Sequence, residues 1–111
     1  MTKTINVGDR AVVFKATAST ITRYSSQFNR DVFADINTAQ KEAKDGKFTT
    51  TSLISILNLA FIMAKQADNS IPDNPEDWLD TFDVFPVEEV LPQVAELWAE
   101  SMGATIAQKK A

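Results

Sequence analysis

Leu53-Ile54-Ser55-Ile56-Leu57-Asn58-Leu59-Ala60-Phe61-Ile62-Met63-Ala64-Lys65-Gln66-Ala67 is the stretch that decides the fold. Its apolar positions cover more than one face of a helix, and such a helix must be buried on several sides. In a chain of 111 residues it is either the central helix of the domain or a helix whose surplus apolar face meets another subunit. Thr51 or Ser52 is placed to cap its start. The apolar run Leu53 to Ala64 contains Ser55 and Asn58 and is too short to cross a bilayer.

Working outward, Asp68-Asn69-Ser70-Ile71-Pro72-Asp73-Asn74-Pro75 cannot continue the helix, because two prolines interrupt it. Pro75 suits the first turn of a short helix through Glu76, Asp77, Trp78, Leu79 and Phe82. Val87, Val90, Leu91, Val94, Leu97 and Trp98 mark a last amphipathic helix, with Pro92 predicting a kink or a start nearer Leu91. Towards the N-terminus, Ile5 and Val7 face Val12 and Phe14 across Gly8-Asp9-Arg10, the pattern of a small hairpin over about residues 4–15. Ser19 is a candidate cap for a helix carrying Ile21, Tyr24 and Phe28, and Asn29 a left-handed stop. A helix from about Arg30 to Lys44 would bury Val32, Phe33 and Ile36. The expected fold is mainly α with a small N-terminal β-hairpin (α+β), a compact bundle of four to five helices in one domain over residues 1–103. Residues 104–111 are expected to form a flexible tail.

Composition excludes much chemistry. The chain has no Cys and no His, which removes thiol catalysis, Cys or His zinc sites and any histidine-based triad. A domain of this size buries roughly two-thirds of its unfolded surface and needs no staple. Asp77, Asp80 and Asp83 are the candidates for an acid/base or metal cluster, yet no Gly-bearing loop or ligand from another element accompanies them. Asp68 to Asp73 superficially resembles a calcium loop but lacks its acid spacing and its turn glycine. With only three glycines there is no phosphate-cradling loop. No catalytic, cofactor-binding or metal-binding residue is therefore assigned, and no enzyme activity is expected.

The charge is unevenly spread. Residues 1–65 carry nine Lys or Arg against five Asp or Glu, and residues 66–111 carry two against ten. The acidic half would repel a phosphate backbone, so nucleic-acid binding there is not expected. It is either a solvated surface that aids solubility or a surface that attracts the basic half of another copy or a basic partner. The aromatics Trp78, Phe82, Phe85 and Trp98 fall at helical spacings and read first as core. Together with Phe61 they are also the candidate surface for a partner or a second copy. The N-terminus lacks the apolar region of a secretory signal, so a cytoplasmic location is expected.

Several segments, taken in order, carry a family pattern: Val13-Phe14-Lys15-Ala16-Thr17-Ala18-Ser19-Thr20; Arg23-Tyr24 with Phe28-Asn29-Arg30-Asp31-Val32-Phe33-Ala34-Asp35; Asn58 to Ala67; Trp78-Leu79-Asp80-Thr81-Phe82; and Leu91-Pro92 before Leu97-Trp98. Over roughly Ile5 to Glu100 the chain resembles the tail assembly chaperones of long-tailed, siphovirus-type phages and prophages of Gram-positive bacteria. Asn29 stands where that family is expected to have Gly, a change that keeps the left-handed stop. The resemblance implies a non-enzymatic protein that binds the long, largely helical tape measure protein and keeps it soluble until tail tube protein polymerises around it. It also implies self-association, action in the host cytoplasm and absence from the mature virion. A longer form made by ribosomal frameshifting is a further implication, since codons for Gln108-Lys109-Lys110 can be written as a slippery run. A rival expectation from the charge pattern is a small acidic adaptor or nucleic-acid mimic that binds a basic host protein.

Overall fold

The computed structural model describes residues 1–103; the expected tail, 104–111, lies outside the described residues. Two strands, β1 (Thr2–Val7) and β2 (Arg10–Lys15), precede five helices: α1 (Ser19–Phe28), α2 (Val32–Lys44), α3 (Thr50–Ala67), α4 (Pro75–Leu79) and α5 (Val87–Ser101). This is the α+β architecture expected, with the hairpin at the N-terminus. No described helix is long and apolar enough to cross a membrane.

The hairpin pairs antiparallel, Val7 with Arg10 and Ile5 with Val12. Met1 and Ala16 exchange backbone hydrogen bonds just beyond it. Alternation puts Ile5, Val7, Val12 and Phe14 on the buried face. The two-residue turn rests on Gly8, whose φ is +65°, while Asp9 keeps a negative φ; glycine is favoured at that first turn position. A Cβ on Gly8 would also lie 3.2 Å from the Val84 carbonyl oxygen. Gly8→Ala is expected to cost about 1–2 kcal/mol, and Gly46→Ala less, because Gly46 (φ +73°) has nothing within 4 Å of the added Cβ. Urea unfolding of both variants checks this, and equal costs would remove any role for the Val84 approach.

α3 is the central helix. Leu59, Ala60, Phe61, Ile62, Met63 and Ala64 are all buried, and β2, α1, α2, α4 and α5 all pack against it. Its cap is Thr49, whose hydroxyl accepts from the Ser52 N–H, earlier than Thr51 or Ser52. Asn29 adopts φ 54° and ψ 45°, the left-handed stop expected of it. α1 begins at Ser19 itself, with Ala18 at the cap position and no side-chain cap bond. α2 starts at Val32 rather than Arg30, because the Asp31 carboxylate accepts from the Phe33 and Ala34 N–H groups and fixes the first turn there.

Two further expectations are corrected. α4 ends at Leu79, so Phe82 lies in the following loop. Of the two readings for α5, a kink at Pro92 or a start nearer Leu91, the second falls: the helix runs through Pro92 from Val87, directly after Pro86. A proline this close to the helix start leaves only the Glu88 carbonyl without its N–H donor, and Glu88 is exposed. Burial of Val90, Leu91, Val94, Leu97 and Trp98 offsets that loss.

Candidate functional site

Of the five residues singled out in the sequence, the reading as core holds for the tryptophans, and the five are not gathered on one exposed face. Phe61, Trp78 and Trp98 are buried, and Phe82 and Phe85 are half-buried. Trp78 sits edge-on to Phe14, Phe82 and Phe85 and is tilted against Phe61. The cluster gathers residues from β2, α3, α4 and the loop after it, and Phe82 and Phe85 stay partly exposed at its edge. Arg10 finishes it from outside, with its guanidinium 3.9 Å from the Phe82 ring centre and bonds to the Thr81 hydroxyl and carbonyl.

Phe33 is corrected in the opposite sense. Val32 and Ile36 share the buried face of α2, and Phe33 is a third of a turn away. It is 51% exposed and lies over Trp98 with ring centres 5.4 Å apart. This pair marks one end of the feature that sequence reading missed.

α2 and α5 each pack on α3 but not closely on one another. Between them a cleft of about 240 Å³ opens over α3. Leu53 and Ile56 of α3 lie beneath it, and Ile36 of α2, Phe48 and Val87, Leu91 and Pro92 of α5 line it as well. Ala39 and Ala43 on α2 and Ala95 on α5 line the sides. A second opening of about 320 Å³ continues it past Ile36 and Gln40 to Phe33, Trp98, Ala99 and Met102. Ala43 lies beside Val87 at one end and Phe33 beside Met102 at the other, so the helices run in opposite directions along the groove.

The polar groups stand at the lips. Glu88 borders the groove on α5 and Gln40 on α2, with exposed Lys44 one turn beyond Gln40. Phe48 is 44% exposed and Leu53 half-buried, so greasy surface meets solvent here. Apolar surface rimmed by polar residues makes this cleft the candidate site for a partner. A signal for it was present in the paired alanines, Ala39 with Ala43 and Ala95 with Ala99, four residues apart on two amphipathic helices.

Chemistry is sparse elsewhere. Among the described residues no three acidic side chains gather so as to hold a metal ion. Asp77 accepts from the Asn74 side chain at the start of α4, while Asp80 and Asp83 are exposed. All ten acids between Asp68 and Glu100 are exposed, and two of them pair across elements, Asp73 with Lys65 and Glu96 with Lys3.

No protein-family model, curated protein or solved structure matches the chain.

Proposed function

We propose that this chain is a phage tail assembly chaperone that binds the tape measure protein and keeps it soluble until tail tube protein surrounds it. The observation that carries the reading is the open apolar groove between α2 and α5. A holder of a long helical client needs exposed apolar surface to grip it and charge to stay in solution. The groove supplies the first and the acidic second half supplies the second. The family resemblance over Ile5 to Glu100 supplies the identity of the client. Neither binding nor release calls for a cofactor or a reaction.

The test is co-expression with the tape measure protein encoded in the same genome. The client is expected to move from the pellet to the soluble fraction and to co-purify with this chain. A client as insoluble as before would end the reading. The exposed acids favour a second reading, an acidic adaptor for a basic host protein. It predicts capture of one such host protein with the tape measure protein left insoluble.

A further inference from the structure

We infer that the groove receives one amphipathic helix of the partner protein, laid between α2 and α5 on the floor formed by α3, with acidic residues along one edge and basic residues along the other. The inference rests on the chaperone reading only for which protein supplies the helix.

Dimensions point to a helix. From Phe33 to Ala43 the α2 wall runs about 15 Å at 1.5 Å per residue, the length of two to three turns. Ala39 and Ala43 stand on one wall and Ala95 and Ala99 on the other. Small side chains at a spacing of four let a third helix approach both walls closely. The 240 Å³ cleft at the Phe48 end is apolar throughout its lining apart from the lip positions Gln40 and Glu88. That space suits a large apolar side chain near one end of the incoming helix, followed by others one and two turns on. Bound this way, the helix completes a four-helix layer with α2, α3 and α5.

Charge fixes the edges. Lys44 and Lys41 follow Gln40 on the solvent side of α2, both exposed and free of any ion pair among the described residues. Glu88 stands on the α5 lip, and α5 has Glu89 beside it with no basic residue on the whole helix. A helix with acids on one edge and bases on the other satisfies both lips. One with like charges on both edges meets repulsion at one of them. Among the described residues, no helix of a second copy presents an apolar face flanked by acids on one edge and bases on the other. The apolar face of α1 packs into the core, and α2, α3 and α5 are themselves the walls and floor of the groove.

The probes are three labelled 18-residue peptides with the same Leu stripe at helical spacing: one with Glu on one edge and Lys on the other, one with Lys on both and one with Glu on both. Fluorescence anisotropy against the full chain is expected to rank the mixed peptide tightest, by about two- to fivefold over either of the others. Ala43→Glu and, separately, Phe48→Ser are both exposed changes that leave the core intact. Each is expected to weaken the mixed peptide at least about tenfold. Lys44→Glu, balanced by the remaining Lys41, takes the net positive charge off the α2 lip and should remove the advantage of the mixed peptide over the all-Lys peptide. Peptide affinities unmoved by Ala43→Glu and Phe48→Ser overturn the inference, as does an edge preference that Lys44→Glu leaves unchanged. Self-association abolished by Ala43→Glu and not competed by the peptide overturns it too, assigning the groove to a second copy. The same two variants in the co-expression assay separate the questions. If they still solubilise the tape measure protein, the chaperone reading survives and the groove assignment falls. If the peptides bind as described and the tape measure protein stays insoluble, the groove stands and the chaperone reading falls.

Discussion

Trp78→Ala is expected to lower the unfolding free energy by about 3–5 kcal/mol, the cost of emptying a large aromatic site in a close-packed core. Against a total of about 5–15 kcal/mol for a domain of this kind, the variant should be partly unfolded at 37 °C. Trp78 is 1% exposed and is the residue on which α4 depends. A five-residue helix has no stability of its own; it forms because Asn74 caps it, Pro75 opens it and Trp78 pins it to Phe14 and Phe61. Phe82 and Phe85 close over the indole, with ring centres 5.2 and 6.1 Å away and nearly perpendicular planes, the arrangement aromatic quadrupoles favour. Removing the ring should therefore loosen α4, the loop carrying Phe82 and Phe85, and the Arg10 contact that ties the loop to the hairpin turn. The indole N–H has no hydrogen-bond partner. Trp78→Phe thus deletes apolar volume without breaking a bond, and it should cost less than half as much as Trp78→Ala. Urea unfolding followed by circular dichroism, with Trp98 as a second reporter, measures both. A cost below about 1 kcal/mol for Trp78→Ala would mean that this cluster does not hold the second half of the chain.

How far such an arrangement can be read from residues alone depends on what periodicity encodes. α3 was legible because an apolar run greasy on several faces admits few placements other than the centre. Asn29, Pro75 and the Gly8 turn were legible because each reports a local backbone requirement. Which helices would meet was not encoded in the same way. Trp78 and Trp98 were legible as core from their helical spacing, but that spacing did not say that Trp98 would also border an opening beside Phe33. Phe33 looked buried because it adjoins Val32, although the two point a third of a turn apart. The groove is a consequence of α2 and α5 both choosing α3 and leaving space between themselves. No spacing within either helix states that choice; the alanine pairs hint only that something packs closely there.

The Asp35 network was equally hidden, and its removal is the second change expected to be large. Asp35→Ala should cost about 2–4 kcal/mol, and Tyr24→Phe about 1 kcal/mol or less. Asp35 is 7% exposed and Tyr24 fully buried. The Tyr24 hydroxyl donates to Oδ2 of Asp35 at 2.9 Å. Arg30 grips both carboxylate oxygens, Nε to Oδ2 at 2.8 Å and Nη2 to Oδ1 at 2.6 Å. One carboxylate therefore joins α1, the α1–α2 connection and α2, and the left-handed turn at Asn29 folds the chain back far enough for Arg30 to reach it. The asymmetry between the two variants follows from what each leaves behind. Asp35→Ala strands the buried Tyr24 hydroxyl without its acceptor, whereas Tyr24→Phe leaves the carboxylate paired with Arg30. Arg30, half exposed, can turn to water once the carboxylate is gone. The network also sets an acid response. Arg30's hydrogen bonds, joined by Tyr24's, hold the Asp35 carboxyl below its usual range against the opposing effect of burial. Burial, then the bond to Asp35, pushes the Tyr24 phenol above its own range. A carboxylate whose folded-state value is depressed contributes stability that is present above the unfolded value, about 3.9. That stability is lost as pH falls through the folded value. Unfolding free energy measured by urea titration should accordingly drop as pH falls from about 4 towards 2. In Asp35→Asn the drop should be shallower, and not absent, because Glu42 and Asp68 are also held low by hydrogen bonds from Thr49 and Ser70. If Asp35→Asn keeps the full acid sensitivity of the parent, the carboxylate is not the group that couples these two helices to pH.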